Sequence, residues 1–204
     1  MIRLYRARFS TNVERVALAL AYKNLETESI WISYDDRSPV IAASGQGLVP
    51  VLDDDGTVVA DSTRILLYLE QRYPEPALFP SDPARRAELE LFIDWFNRVW
   101  KRWPNEIERE LLADEPDREL IAASSAELRA SLDRFETMLT GRDYLMGEFS
   151  AADCAAFPFV KFARGRDPED DELFHRILEE RQPLGSTHPR LGAWIERVDA
   201  RPRA

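Results

Sequence analysis

The chain has a single cysteine, Cys154, and only two histidines, His175 and His188. One cysteine excludes an intramolecular disulfide and any Cys-x-x-Cys redox pair, and two histidines leave little material for a metal site or a Ser–His dyad. No metal is expected. No apolar run approaches the roughly 18 residues that spanning a bilayer requires, and the first residues lack a secretory apolar core, so a cytoplasmic protein without a membrane partner is expected. Positive charge is in deficit, 27 Lys and Arg against 37 Asp and Glu for a net charge of -10, which argues against general attraction to nucleic acid or anionic lipid. No internal repeat or low-complexity tract occurs. What the chain does have is 204 residues, 45% of them hydrophobic, enough to bury the core of one domain or two.

The stretch Leu48–Ile65 organises the rest. Two short apolar runs, Val49–Leu52 and Thr57–Ala60, flank Asp55-Gly56, the dipeptide that best suits a tight hairpin turn. Asp61 and Ser62 follow where a helix N-cap is expected, and Ile65, Leu66 and Leu69 give the next segment an apolar face. The start of such a helix offers unpaired N–H groups and a partial positive charge to a carboxylate, to which Ser62 adds a hydroxyl; the same residues also read as a plain capped helix. Upstream, Ile2–Tyr5 is β-prone, and Val13, Val16, Ala17, Leu18 and Leu20 recur at helical spacing. Thr11-Asn12-Val13-Glu14 matches a capping box, which predicts a helix start near Asn12. Thr27–Ser33 reads as a second strand, and Asp35–Gly47 as polar and at most briefly helical. Strand, helix, strand, short helix or loop, hairpin and helix, ending near Tyr73, is the order of a thioredoxin-like domain.

Pro74, Pro76, Pro80 and Pro83 lie too close together for any helix interior or central strand and mark a linker. Beyond it β-branched residues thin out. The fold class is therefore α/β plus all-α: a thioredoxin-like domain over 1–76 and an all-helical domain over 84–204. Phe92, Trp95, Phe96, Val99, Trp100 and Trp103 line one face of a helix that Pro104 should kink or end, and an aromatic stripe of this kind reads first as core. Leu128, Leu132, Phe135 and Leu139 mark a helix over Leu120–Leu139. Ser150-Ala151-Ala152-Asp153 is a second capping box behind Phe149, which makes the Asp153 carboxylate structural. Gly165–Glu172 reads as a charged loop, and Arg190–Val198 as the last helix.

Several short motifs, each weak alone, occur in a telling order. Leu4-Tyr5, Ser10-Thr11-Asn12-Val13-Glu14-Arg15-Val16, Leu48-Val49-Pro50-Val51-Leu52 and Asp61-Ser62-x-x-Ile65-x-x-Tyr68-Leu69 together resemble the N-terminal domain of the cytosolic glutathione transferases. Asp153 in its capping box, His188-Pro189-x-Leu191-x-x-Trp194 and Arg201-Pro202 resemble the helical domain of that family. The resemblance implies glutathione as co-substrate, transfer of its thiol to a small electrophilic substrate or a related thiol-dependent isomerisation, a role in detoxification, and a homodimer. Members without catalysis that bind or regulate are the alternative. It also implies roles for particular residues. Pro50 matches the family's cis-proline; Val49 would pair its N–H and C=O with the peptide as an added strand. Ser62 would meet the γ-glutamyl carboxylate, with Asp61, Gln46 and Leu48 at the same site. Ser10 stands where serine-type members place the hydroxyl that bonds the glutathione sulfur, and Tyr5 and Thr11 are rival donors. Asp61 replaces the Glu or Gln of many members, and Leu48 a polar residue.

One hydroxyl can matter for a simple reason. A thiol of pKa near 8.5 is only about 3% ionised at pH 7, and the thiolate is the nucleophile. Lowering that pKa by two units needs about 2.7 kcal/mol of preferential stabilisation. A hydrogen bond to a charged acceptor supplies roughly 1.5–3 kcal/mol, and a helix N-terminus up to about 1.

Overall fold

In the segment Ile2–Arg6 (β1), Ile2 and Leu4 are buried while Arg3 is exposed, the two-residue period of a sheet whose faces differ. The structure, a computed structural model, describes all residues 1–204. Strands Thr27–Trp31 (β2), Val51–Asp54 (β3) and Thr57–Ala60 (β4) join β1 in one sheet of order β2-β1-β3-β4. β1 is parallel to β2 and antiparallel to β3, and β3 and β4 form the hairpin expected from the sequence. Its turn residues Asp55 and Gly56 have φ of 48° and 92°, the left-handed pair that a right-twisted hairpin demands. On one face Val40, from helix Ser38–Ser44 (α2), buries with Ile32 and Val51 against Tyr5, Ile30, Val49 and Ala60. On the other, Leu4 and Leu52 are fully buried beneath helices Thr11–Tyr22 (α1) and Ser62–Arg72 (α3). This is the thioredoxin-like arrangement of a mixed sheet with helices on both faces.

The chain divides into two compact units, Met1–Pro80 with Arg201–Ala204, and Ser81–Ala200. The last four residues, placed with the helical domain in the sequence reading, thus return to the first unit, where the Ala204 N–H bonds to the Ala17 carbonyl and Arg203 pairs with Glu14 at 2.9 Å. A buried ammonium ties the ends of α1 and α3 together. Lys23 Nζ donates to Glu70 Oε2 at 3.0 Å and to the carbonyls of Tyr73 and Pro76 at 2.6 and 2.9 Å, which satisfies all three of its donors and offsets their removal from water. The Asp54 carboxylate, buried in β3, accepts the hydroxyls of Tyr68 and Tyr73 at 2.8 and 2.7 Å. Burial and that carboxylate together raise the pKa of both phenols, Tyr73 to about 12.

The second unit is all helical: Pro83–Trp95 (α4), Arg102–Leu111 (α5), Arg118–Met138 (α6), Ala151–Val160 (α7), Leu173–Arg181 (α8) and Pro189–Asp199 (α9). The aromatic stripe is core, with Phe96 and Trp100 fully buried and stacked at 4.5 Å. Pro104, however, does not break that helix. A π-helical turn over Phe96–Trp100 separates α4 from α5, and Pro104 sits in the first turn of α5, where a missing N–H costs little. The Ser150–Asp153 capping box is present, and the buried Asp153 also accepts from the Leu145 N–H and Trp194 Nε1 at 3.0 and 2.8 Å. Burial pushes this carboxyl above the usual range and outweighs the four donors that pull it down. Helix α8 has no counterpart in the sequence reading. It follows the charged loop, and His175 within it bonds the buried Asp170 at 2.8 Å.

Candidate functional site

The register of the sheet gathers the sequence-predicted residues without any appeal to side chains. Tyr5 of β1 pairs with Val51 of β3, and Val51 pairs with Ala60 of β4, so these three residues form one row across the sheet. Beyond that row at the same end lie the turn from β1 into α1, the segment leading into β3, and the turn from β4 into α3. Ser10 and Thr11 occupy the first, Gln46 to Pro50 the second, and Asp61 and Ser62 the third. Antiparallel pairing of β3 with both its neighbours makes this convergence unavoidable.

At the first turn the cap is Ser10, not Thr11. Ser10 has the extended backbone that a cap needs, φ -63° and ψ 112°, and its Oγ accepts from the Val13 N–H at 3.4 Å. Thr11 is the first helical residue and is buried, so the expected helix start at Asn12 moves one residue earlier, and the Glu14 carboxylate reaches Arg203. The Ser10 oxygen accepts from the cap, and its proton has no acceptor in the chain. Phe9, just before it, has φ 61°, a conformation costly for an aromatic residue.

At the second turn the Val49–Pro50 peptide is cis, as the family resemblance implies. The Val49 N–H and C=O make no hydrogen bond in the chain. Leu48 differs. Its N–H donates to Gln46 Oε1 at 2.6 Å and its carbonyl accepts from Gln46 Nε2 at 2.9 Å, so the Gln46 amide pairs with Leu48 as a strand would. The Leu48 side chain is 75% exposed.

At the third turn Asp61 is the cap of α3. Its Oδ1 accepts from the Thr63 and Arg64 N–H groups, both at 3.0 Å, while Oδ2 has no partner in the chain. Its φ of 75° again places a non-glycine residue in the left-handed region directly before a candidate serine. Strained backbone of this kind persists where the surroundings fix a functional geometry. Ser62 is 5% exposed, and its Oγ accepts from Nη1 of Arg15 at 3.4 Å. Arg15, in α1, is 1% exposed and was not singled out as a site residue in the sequence reading. A positive charge between Val13 and Val16, on the stretch that faces the core, is the signal that would have found it.

Tyr5 leaves the sheet on the α2 face, packed like Val49 and Ala60 against the cluster of Ile32, Val40 and Val51, one row below the three turns. No group of three or more His, Cys, Asp or Glu side chains is placed to hold a metal ion. No helix is long and apolar enough to cross a membrane. Chemically, the end of the sheet offers two helix N-termini, two serine hydroxyls with uncommitted protons, an unpaired backbone N–H and C=O, and one free carboxylate oxygen. That set suits a short extended peptide with an anionic end and a nucleophile to be ionised.

Comparison with known proteins gives a consistent picture. Residues 4–77 match the glutathione S-transferase N-terminal domain and residues 118–197 the glutathione S-transferase C-terminal domain. The chain is 33% identical over 172 residues to glutathione S-transferase GstB of Escherichia coli, covering 78% of this chain and 82% of that one. It is 42% identical over 93 residues to maleylacetoacetate isomerase of Pseudomonas aeruginosa, 42% of this chain and 44% of the isomerase. The crystal structure of a glutathione S-transferase from Rhodospirillum rubrum superposes with a TM-score of 0.76 at 28% identity, over 99% of this chain and 89% of that one.

Proposed function

The chain belongs to the glutathione S-transferase family, and we propose that it binds glutathione at the end of the sheet and ionises its thiol for transfer to a small electrophile, or for a thiol-dependent isomerisation. The observation that carries this reading is the convergence, beyond one row of the sheet, of Ser10, the unpaired Val49 backbone and Ser62. The cysteinyl part of the peptide pairs with the Val49 N–H and C=O. The γ-glutamyl carboxylate lies on Ser62 at the start of α3, where it meets the helix dipole, and the ammonium faces the free Oδ2 of Asp61. The thiol lies at the start of α1. There the Ser10 proton, which has no acceptor in the chain, donates to the sulfur and favours the thiolate. Tyr5 and Thr11 are the rival donors: Tyr5 stands on the other face of the sheet from α1, and Thr11 is buried as the first residue of the helix.

Two observations favour a second reading, a family member that binds or regulates without catalysis. Gln46 spends its amide on the Leu48 backbone, and Asp61 spends one oxygen on capping, so two polar groups at the site are engaged internally. Calorimetric titration with glutathione, paired with a conjugation assay on an aromatic halide, decides between them. Binding with turnover supports the enzyme; binding or its absence without turnover, over a panel of halides and a cis-enedione isomerisation substrate, supports the second. The reading includes a homodimer, which light scattering checks by returning the mass of two chains rather than one.

A further inference from the structure

Arg15 carries its charge into the interior of the first unit, and the structure shows where that charge is directed. Guanidinium does not deprotonate in proteins, and burying it is costly unless its hydrogen bonds and field are used. Its Nη1 donates to Ser62 Oγ, itself almost wholly buried, at the first residue of α3. A hydroxyl has one proton and two lone pairs, and a donor on its oxygen directs that proton elsewhere. Arginine has no acceptor to receive it, and the Ser62 hydroxyl makes no donor bond within the chain. The start of α3 is meanwhile depleted of other donors, because the N–H groups of Thr63 and Arg64 are both taken by Asp61 Oδ1. Of the backbone N–H groups that open α3, the Ser62 N–H remains uncommitted, and beside it stands the Ser62 O–H with the Arg15 guanidinium behind its oxygen.

We propose that Arg15 is a positioning residue for the γ-glutamyl carboxylate: its buried guanidinium holds and polarises the Ser62 hydroxyl so that the proton is presented to that carboxylate, without touching the ligand itself. This rests on the glutathione reading given above and extends it to a residue in another helix. A hydroxyl that accepts from a cation donates more strongly, and the low-dielectric setting of a side chain 1% exposed lets the charge act through it with little screening. The role is specific for the carboxylate. It therefore predicts an effect on one end of the peptide and none on the other.

The test uses the full chain, with glutathione and 4-aminobutyryl-cysteinylglycine, which lacks only the γ-glutamyl carboxylate, as the two ligands in calorimetric titration. Arg15→Met should weaken glutathione at least ten-fold and leave the analogue within two-fold, Arg15→Lys should recover part of the loss, and Ser62→Ala should reduce the preference for glutathione at least as far as Arg15→Met does. In the Ser62→Ala background Arg15→Met should have no further effect on either affinity. Should Arg15→Met fail to fold, Arg15→Lys carries the same comparison: it must reduce the preference for glutathione while the melting temperature shows an intact fold. Equal weakening of both ligands in a folded Arg15 variant overturns the role of Arg15 while leaving glutathione binding in place. Failure of the unsubstituted chain to bind glutathione overturns the underlying reading, and this one with it.

Discussion

Replacing Ser10 separates two roles that its oxygen holds at once. As the cap of α1 it accepts from the Val13 N–H, and in the proposed function its proton is the donor to the glutathione sulfur. Ser10→Ala removes both. Loss of a serine cap costs about 0.5–2 kcal/mol, and the 3.4 Å length of this bond argues for the lower end, about 0.5–1 kcal/mol or a melting shift of about 1–4 °C. Loss of the donor raises the pKa of the bound thiol by about one to two units, since 1.4–2.8 kcal/mol of thiolate stabilisation disappears, roughly. Because the hydroxyl favours the charged form, its removal matters most where the free thiol is protonated: conjugation at pH 6.5 should fall about 5–50-fold, and the deficit should shrink as the pH rises and be nearly gone above about 8.5. Ser10→Gly is the control. Glycine caps nearly as well as serine, so stability should return to within a few tenths of a kcal/mol, about the error of the measurement, while the rate stays low. Stopped-flow conjugation across pH, alongside thermal melting of both variants, gives the result. An unchanged rate at pH 6.5 in both, with Tyr5→Phe slow instead, would refute the assignment and move the donor to Tyr5.

Asp61→Asn keeps a capping oxygen and a residue type that tolerates positive φ but removes the charge, so stability should hold while glutathione affinity falls about five-fold if Oδ2 meets the ammonium; a calorimetric affinity that does not change makes Asp61 a cap only. Glu70→Gln leaves the Lys23 ammonium buried beside a neutral amide, and denaturant unfolding should show a loss of about 3–5 kcal/mol, whereas a loss below about 1 would mean that the two backbone carbonyls suffice. The phenols on Asp54 titrate higher folded than unfolded, so their contribution is complete below pH about 10 and is lost as the pH rises through the folded value of about 12 for Tyr73. Alkaline unfolding should therefore steepen above pH about 10, and Tyr73→Phe should flatten it; an identical alkaline profile in that variant would contradict the linkage.

The elements that the sequence made legible are those with a local cause. Asp55-Gly56 forces the hairpin, the paired prolines forbid continuation at the linker, and the Ser150–Asp153 box is complete within four residues. The misread positions depend on distant partners. Thr11 and Ser10 are both competent caps, and the choice fell to Ser10 because Thr11 is drawn into the core while Glu14 is claimed by Arg203, far away in the chain. Pro104 looked like a break because the sequence does not reveal the π-helical turn that precedes it. Helix α8 is short and begins without a side-chain cap, so its start leaves no signature. At the site, the resemblance located Ser10, Val49, Pro50 and Ser62 on turns that the register then brings to one end of the sheet. The Asp61 cap was legible because its partners lie two and three residues on, whereas Arg15 standing behind Ser62 was not, because that contact arises from packing between segments.

The most direct test of the account is the ionisation of glutathione bound to the unsubstituted protein, followed through the ultraviolet absorbance of its thiolate as the pH is varied. Ser10 and the start of α1 together should bring the apparent pKa from about 8.5 to about 6.5, so that most of the bound thiol is ionised at pH 7. A bound thiol that titrates at its free value would contradict the claim that this site activates glutathione.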